Sequence, residues 1–172
     1  MREINKILII VDMVNGFVRE GAMADKYIEH IIPEQIKLID NLNKETDELI
    51  FIKEAHQENS IEFKRYPKHC IKGTKESELV DELKIYENNS KIFEKNSTSA
   101  IFNKDLLNYI DSLKYLKEII IVGCCTDICV MNLAIPLRNY FDEHNIDMEI
   151  IIKKSATETY DSVVHDRDLY NN

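Results

Sequence analysis

The sequence predicts an α/β fold: a three-layer αβα sandwich around a mostly parallel, doubly wound central sheet. Two observations carry this. Short β-branched apolar runs recur at wide intervals, at 7–11, 49–52, 119–122 and 148–152. The first and third are continuous rather than alternating, as in strands buried on both faces. Between the runs lie stretches whose apolar residues are spaced three and four apart, the period of a helix. Alternation of strands and helices specifies parallel strands joined by crossovers.

In chain order, Ile7, Leu8, Ile9, Ile10 and Val11 form the first strand. Over 27–42, Ile28, Ile31, Ile32, Ile36, Ile39 and Leu42 make one helical stripe. Leu49, Ile50, Phe51 and Ile52 form the next strand. The stretch 55–77 has little apolar periodicity, and an irregular segment of that length inside a domain is usually functional. Leu106, Leu107, Ile110, Leu113 and Leu116 make a second stripe. The run Ile119 to Val122 is the next strand, Ile128, Leu133, Ala134, Leu137 and Phe141 a third stripe, and 148–152 a last strand.

The chain has 172 residues, which predicts one domain spanning 1–172, since domains run to about 100–200 residues. Its net charge of −9 argues against a nucleic-acid partner, which calls for a basic patch. No apolar run is long enough to span a membrane. Residues 1–6 lead straight into an apolar run without a small-residue cleavage site, so no signal peptide is expected. Cys124, Cys125 and Cys129 lie too close together for a disulfide framework, and with Cys70 they point to a reducing, cytoplasmic setting. Neither GxGxxG nor GxxxxGK[ST] occurs, so nucleotide-binding versions of the architecture lose their main signature.

In an open α/β sheet, ligands bind beyond the carboxyl ends of the strands. The first strand delivers Asp12 there, the second Glu54 and His56, and the strand at 119–122 delivers Gly123 to Cys129. Thr126 is expected to cap the following helix, which places Cys129 in its first turn. Unpaired N–H groups and the helix dipole there favour a thiolate and an oxyanion. Asp12 is positioned to accept the thiol proton. Glu54 and His56, with Glu62 and His69 further on, form a candidate metal set suited to Zn, Mn or Fe. His30, His144 and His165 fall in helical or tail segments and are assigned no chemistry.

The chain resembles the nicotinamidases, within the isochorismatase-like cysteine hydrolases, from about residue 7 to 165. Three motifs carry the resemblance: Ile9-Ile10-Val11-Asp12, with Phe17 after it; Tyr66-Pro67-Lys68-His69-Cys70-Ile71-Lys72-Gly73-Thr74; and Gly123-Cys124-Cys125-Thr126-Asp127-Ile128-Cys129-Val130. The resemblance implies Cys129 as nucleophile, Asp12 as general base and Lys95 as third catalytic residue. It implies an oxyanion hole from the backbone N–H groups of Cys125 and Cys129, a cis Cys124-Cys125 peptide, and Phe17 in the substrate pocket. Glu54, His56 and His69 would hold a divalent metal, zinc first and manganese or iron next, with Glu62 as a fourth ligand. The family usually has Asp where Glu54 stands.

The implied reaction is hydrolysis of nicotinamide to nicotinate and ammonia through a thioester, the metal orienting the pyridine ring. Two other readings are a metal-free relative acting on another small carboxamide, and a non-enzymatic thiol redox or small-molecule-binding protein. The resemblance also implies a homo-oligomer, with Ile135, Leu137 and Tyr140 as candidate interface residues.

Overall fold

The computed structural model describes residues 3–171. Its elements are β1 (Lys6–Val11), α1 (Asn15–Val18), a 3-10 turn (Lys26–Ile31), α2 (Ile32–Asp40), β2 (Asp47–Glu54), α3 (Asp81–Lys84), β3 (Lys91–Lys95), α4 (Lys104–Ser112), β4 (Glu118–Cys124), α5 (Met131–Glu143), β5 (Glu149–Glu158) and α6 (Arg167–Asn171). The sheet order is β3-β2-β1-β4-β5, and all four pairings are parallel.

Alternation along the strands builds two cores. Leu8, Ile10, Phe51 and Val122 point to the face covered by α1, α2 and α3. Ile7, Ile9, Ile52 and Ile121 point to the face covered by α4 and α5, against Leu106, Ile110, Leu133 and Phe141. Both faces of β1 are thus dry, which is why its sequence is an unbroken apolar run. The expected layering is present.

Several elements differ in detail. The stripe over 27–42 is not one α-helix. Its first turn is 3-10, and the α-helix starts at Ile32 with Pro33 in its first turn, where a missing N–H costs nothing. The second stripe begins earlier and ends sooner: Asn103 caps α4 through Oδ1, accepting from Asp105 N at 3.0 Å and Leu106 N at 3.2 Å. Leu113 and Leu116 lie beyond its end. Thr126 is not a helix cap, because residues Thr126–Val130 form a π turn with no side-chain cap, and its hydroxyl goes to Asn171 Oδ1 at 2.9 Å. β3 went unread, and β5 runs on past a bulge to Glu158.

Pro136 sits inside α5 and leaves the Asn132 carbonyl without its helical donor. The Ser99 hydroxyl donates to that carbonyl at 2.7 Å, fastening the loop after β3 to α5. Leu137, expected at a self-association surface, is fully buried in the core, whereas Ile135 is exposed. Among the described residues, no helix is long and apolar enough to cross a membrane.

Candidate active site

The site begins with register. Val11 pairs with Ile52 on one side and Gly123 on the other, and Glu54 pairs with Lys95. Asp12, Glu54, Lys95 and the Cys124–Cys129 turn therefore leave the sheet at one rim. Gly123 permits the closeness: its φ is +117°, and a Cβ there would lie 2.1 Å from the Val11 carbonyl oxygen. Asp12 itself has φ +52°, a conformation short polar residues tolerate best. The Cys124-Cys125 peptide is cis, as the resemblance implies.

Lys95 is the hub. It is only 5% exposed, with Nζ 2.8 Å from Asp12 Oδ2, 3.6 Å from Cys129 Sγ, and in contact with Glu54 Oε2. Burial works against its ammonium, but Asp12, Cys129 and Glu54 outweigh it and hold Lys95 charged well above the usual lysine range. Asp12, Glu54 and Cys129 present ligand atoms within 4.8 Å of one another. Burial pushes the Cys129 thiol well above its ordinary range, with Lys95 opposing and Asp12 and Glu54 adding to the rise. Burial thus works against the thiolate that N–H groups at the start of the helix favour.

A second buried centre adjoins the first. His56 Nε2 lies 3.1 Å from Glu54 Oε1, 3.4 Å from Glu62 Oε2 and 3.2 Å from His69 Nε2. The chain brings His69 there by a bridge between residues 56 and 71, with His56 N donating to Cys70 O and Lys72 N to His56 O, each at 2.9 Å. Outer partners aim every ligand. His56 Nδ1 faces Asn96 Oδ1 at 3.2 Å, and His69 Nδ1 donates to Pro67 O at 2.8 Å. Glu62 Oε1 accepts from Thr98 N at 3.1 Å. With hydrogen on each Nδ1, both Nε2 lone pairs point inward beside two carboxylate oxygens. Glu54 Oε1 has no hydrogen-bond donor.

Glu54, His56 and Glu62 present ligand atoms within 4.8 Å of one another, with His69 Nε2 beside His56. Inward lone pairs of this kind repel one another unless a cation lies among them, so the donor set fits a divalent metal of the zinc, manganese or iron type. Burial holds His56 below its usual range, consistent with a neutral ligand imidazole. Burial also pushes the Glu54 carboxyl up, against the pull of Lys95.

A cavity opens beside both centres, walled by Phe17, Tyr66, Tyr160, Met23 and Ile128 and lined also by Glu54, Glu62, His69 and Cys129. Flat aromatic walls suit a planar ring. The structure thus gathers every residue singled out in the sequence: Asp12, Lys95, Cys125 and Cys129, Phe17, and Glu54, His56, Glu62 and His69. It adds Asn96 and Thr98 as aiming groups, and Tyr66 and Tyr160 as pocket walls. His165, assigned nothing from the sequence, is buried and bonded to Asp127, two residues before the nucleophile candidate.

Comparison with known proteins gives a consistent picture. Residues 6–171 match the family described as Isochorismatase domain. The chain is 31% identical to nicotinamidase 1 of Arabidopsis thaliana over 183 residues, covering 92% of this chain and 71% of that protein. The crystal structure of nicotinamidase PncA from Bacillus subtilis superposes with a TM-score of 0.72 at 29% identity, covering 90% of this chain and 86% of that one. A pyrazinamidase of Pyrococcus horikoshii, solved in complex with zinc, shares the fold at a TM-score of 0.78 and 23% identity, covering 91% of this chain and 88% of that one.

Proposed function

The chain belongs to the isochorismatase-domain family, and from that premise we propose that it is a cysteine-dependent amidohydrolase converting nicotinamide to nicotinate and ammonia. Two relatives about 30% identical, from Arabidopsis thaliana and Acinetobacter baylyi, are named nicotinamidases, which favours an enzyme over a non-enzymatic thiol protein. The observation that carries the proposal is the convergence of Asp12, Lys95 and Cys129 beside a partly aromatic cavity that Cys129 lines together with Glu54, Glu62 and His69.

Asp12 takes the proton from Cys129 as the sulfur attacks the carboxamide carbon. Lys95 stays protonated between the two and compensates the negative charge as it moves from sulfur toward oxygen. The N–H groups of Cys125 and Cys129 receive the oxyanion. The C–N bond then breaks as Asp12 returns the proton to the departing ammonia, leaving a thioester on Cys129. Water, deprotonated by Asp12, attacks the thioester, and the thiol is restored as nicotinate leaves. Phe17, Tyr66 and Tyr160 hold the ring between them and keep bulk water away. A divalent metal held by Glu54, His56, Glu62 and His69 supplies, when bound, a Lewis acid for the pyridine nitrogen and so fixes the ring's orientation.

A second reading, a metal-free hydrolase of another small carboxamide, draws on one observation: Glu54 spends one oxygen on Lys95. Ammonia release from nicotinamide by protein of measured metal content tests both. Turnover with stoichiometric metal supports the first reading. Turnover of a different carboxamide without metal supports the second.

A further inference from the structure

Beyond β5 the chain folds back over the nucleophile turn, and its contacts there are made by specific side chains. Asp127, within the Thr126–Val130 turn, has both carboxylate oxygens engaged. Oδ1 accepts from the Thr159 hydroxyl at 2.6 Å, and Oδ2 accepts from His165 Nε2 at 2.8 Å. The other ring nitrogen, Nδ1, faces the Tyr160 carbonyl at 2.9 Å.

The same imidazole is sandwiched between two rings. Tyr160 lies on one side at 4.0 Å between centroids and 12° between planes, and Tyr170 on the other at 4.4 Å and 10°. Tyr160 is also a wall of the cavity. Arg167 secures the segment from outside: Nε donates to Thr159 O at 3.1 Å, the guanidinium pairs with Asp25, and it lies 3.9 Å over the Tyr27 ring.

The turn needs such a clasp. From within, the backbone holds it through Cys125 O, which accepts from Ile128 N at 3.2 Å and Val130 N at 3.1 Å, and through Thr126 O and Ile128 O, which accept from Met131 N. A π turn is a rare geometry, found mostly as a single turn at functional sites, and here side chains hold it from outside. We propose that Asp127 and His165 are positioning residues for the reaction: the pair clasps the turn that carries the Cys125 and Cys129 N–H donors, and the stack on His165 sets Tyr160 as a wall of the substrate pocket. This rests on the amidohydrolase reading above. The two halves of the imidazole's work are separable, because Nε2 holds the turn through Asp127 while the ring faces stack on Tyr160 and Tyr170.

Three variants test this. His165→Phe keeps a flat ring in the stack and removes the donor, so kcat falls about tenfold while KM stays within about twofold. His165→Gln keeps a donor for Asp127 and loses the stacked ring, so KM rises about fivefold while kcat is largely retained. Thr159→Val removes the other donor to Asp127 and lowers kcat in the same direction as His165→Phe. Hydrogen exchange of the amides at 125–130 accelerates in His165→Phe and Thr159→Val relative to wild type.

Equal effects of all three variants on kcat and KM, tracking a common loss of thermal stability, would overturn the proposal, as would wild-type kinetics in all three. A wild type that releases no ammonia from any small carboxamide overturns the amidohydrolase reading alone. The clasp is then judged by exchange, and unchanged protection of 125–130 in His165→Phe overturns it.

Discussion

Glu54 and Lys95 face each other in the β2–β3 register and meet again through their side chains as a buried ion pair. Lys95 also compensates Asp12. Replacing Lys95 with Met leaves two neighbouring carboxyl groups in the core without their cation. The expected loss is about 3 kcal/mol of stability, because removing one partner of a buried pair strands the other. An unchanged urea midpoint in Lys95→Met contradicts this, and activity is expected to vanish with the charge.

Cys129 and Asp12 carry the covalent chemistry in the proposed mechanism. Cys129→Ala and Asp12→Asn should each lower ammonia release from nicotinamide by at least about a thousandfold, since neither role has a substitute nearby. Mass spectrometry of wild-type protein quenched during turnover should find the acyl group on Cys129 and on no other cysteine. Residual turnover near wild type in either variant sinks the assignment.

The free protein should show a reluctant thiol. Burial raises the Cys129 thiol, so at any given pH less of it is thiolate than in free cysteine, and deprotonation completes only at higher pH. Alkylation of Cys129 by iodoacetamide should keep climbing about tenfold per pH unit past the ordinary thiol range, with Cys129→Ala as the blank. A rate that levels off below neutral pH means the thiolate is already formed, and Asp12 would then have no proton to take.

The aiming groups of the four-ligand centre give a metal prediction that needs no ligand mutated. Asn96 orients His56 through Nδ1. Asn96→Ala should weaken zinc or manganese affinity by about 10- to 100-fold, the usual cost of losing an outer partner. Competition with a chromophoric chelator reads this directly. Unaltered affinity means that His56 is aimed by the backbone alone.

Gly123 tests how tightly the rim is built. Gly123→Ala combines a φ of +117° with a Cβ 2.1 Å from backbone that cannot yield. The expected destabilisation is about 3 kcal/mol or more. Turnover should fall alongside, because Asp12 follows the strand end that must move. A midpoint within experimental error of wild type excludes the close approach.

What could be read from the sequence follows from what each residue answers to. Strands β1 and β4 were legible because both their faces are dry, which forces unbroken apolar runs. β3 was not, since a five-residue edge strand with Lys91, Glu94 and Lys95 among its members has too little apolar pattern. Asp12 and Cys129 were legible because strand ends are where this architecture puts chemistry. Lys95 came only with the family resemblance, its strand having gone unread. Asn96 and Thr98 look like any polar loop, and their work is set by contacts 36 to 40 residues away in the chain. His165 lies 38 residues from Asp127, in a segment whose neighbours Val163 and Val164 are fully exposed, so nothing local marks it.

The strand register has a consequence for how such a chain can change. The named catalytic and ligand groups leave the sheet at one rim, while the connections at 41–46 and 113–117 enter it at the other. Lengthening, trimming or exchanging those opposite connections leaves the distances among Asp12, Lys95 and Cys129 untouched, so sequence drift is cheap there. A slip of one residue between β2 and β3 would instead part Glu54 from Lys95 and turn Phe93 away from the core it packs against. Activity is therefore selected at one rim of the sheet, and recombination between relatives should succeed at crossovers placed in the distal connections.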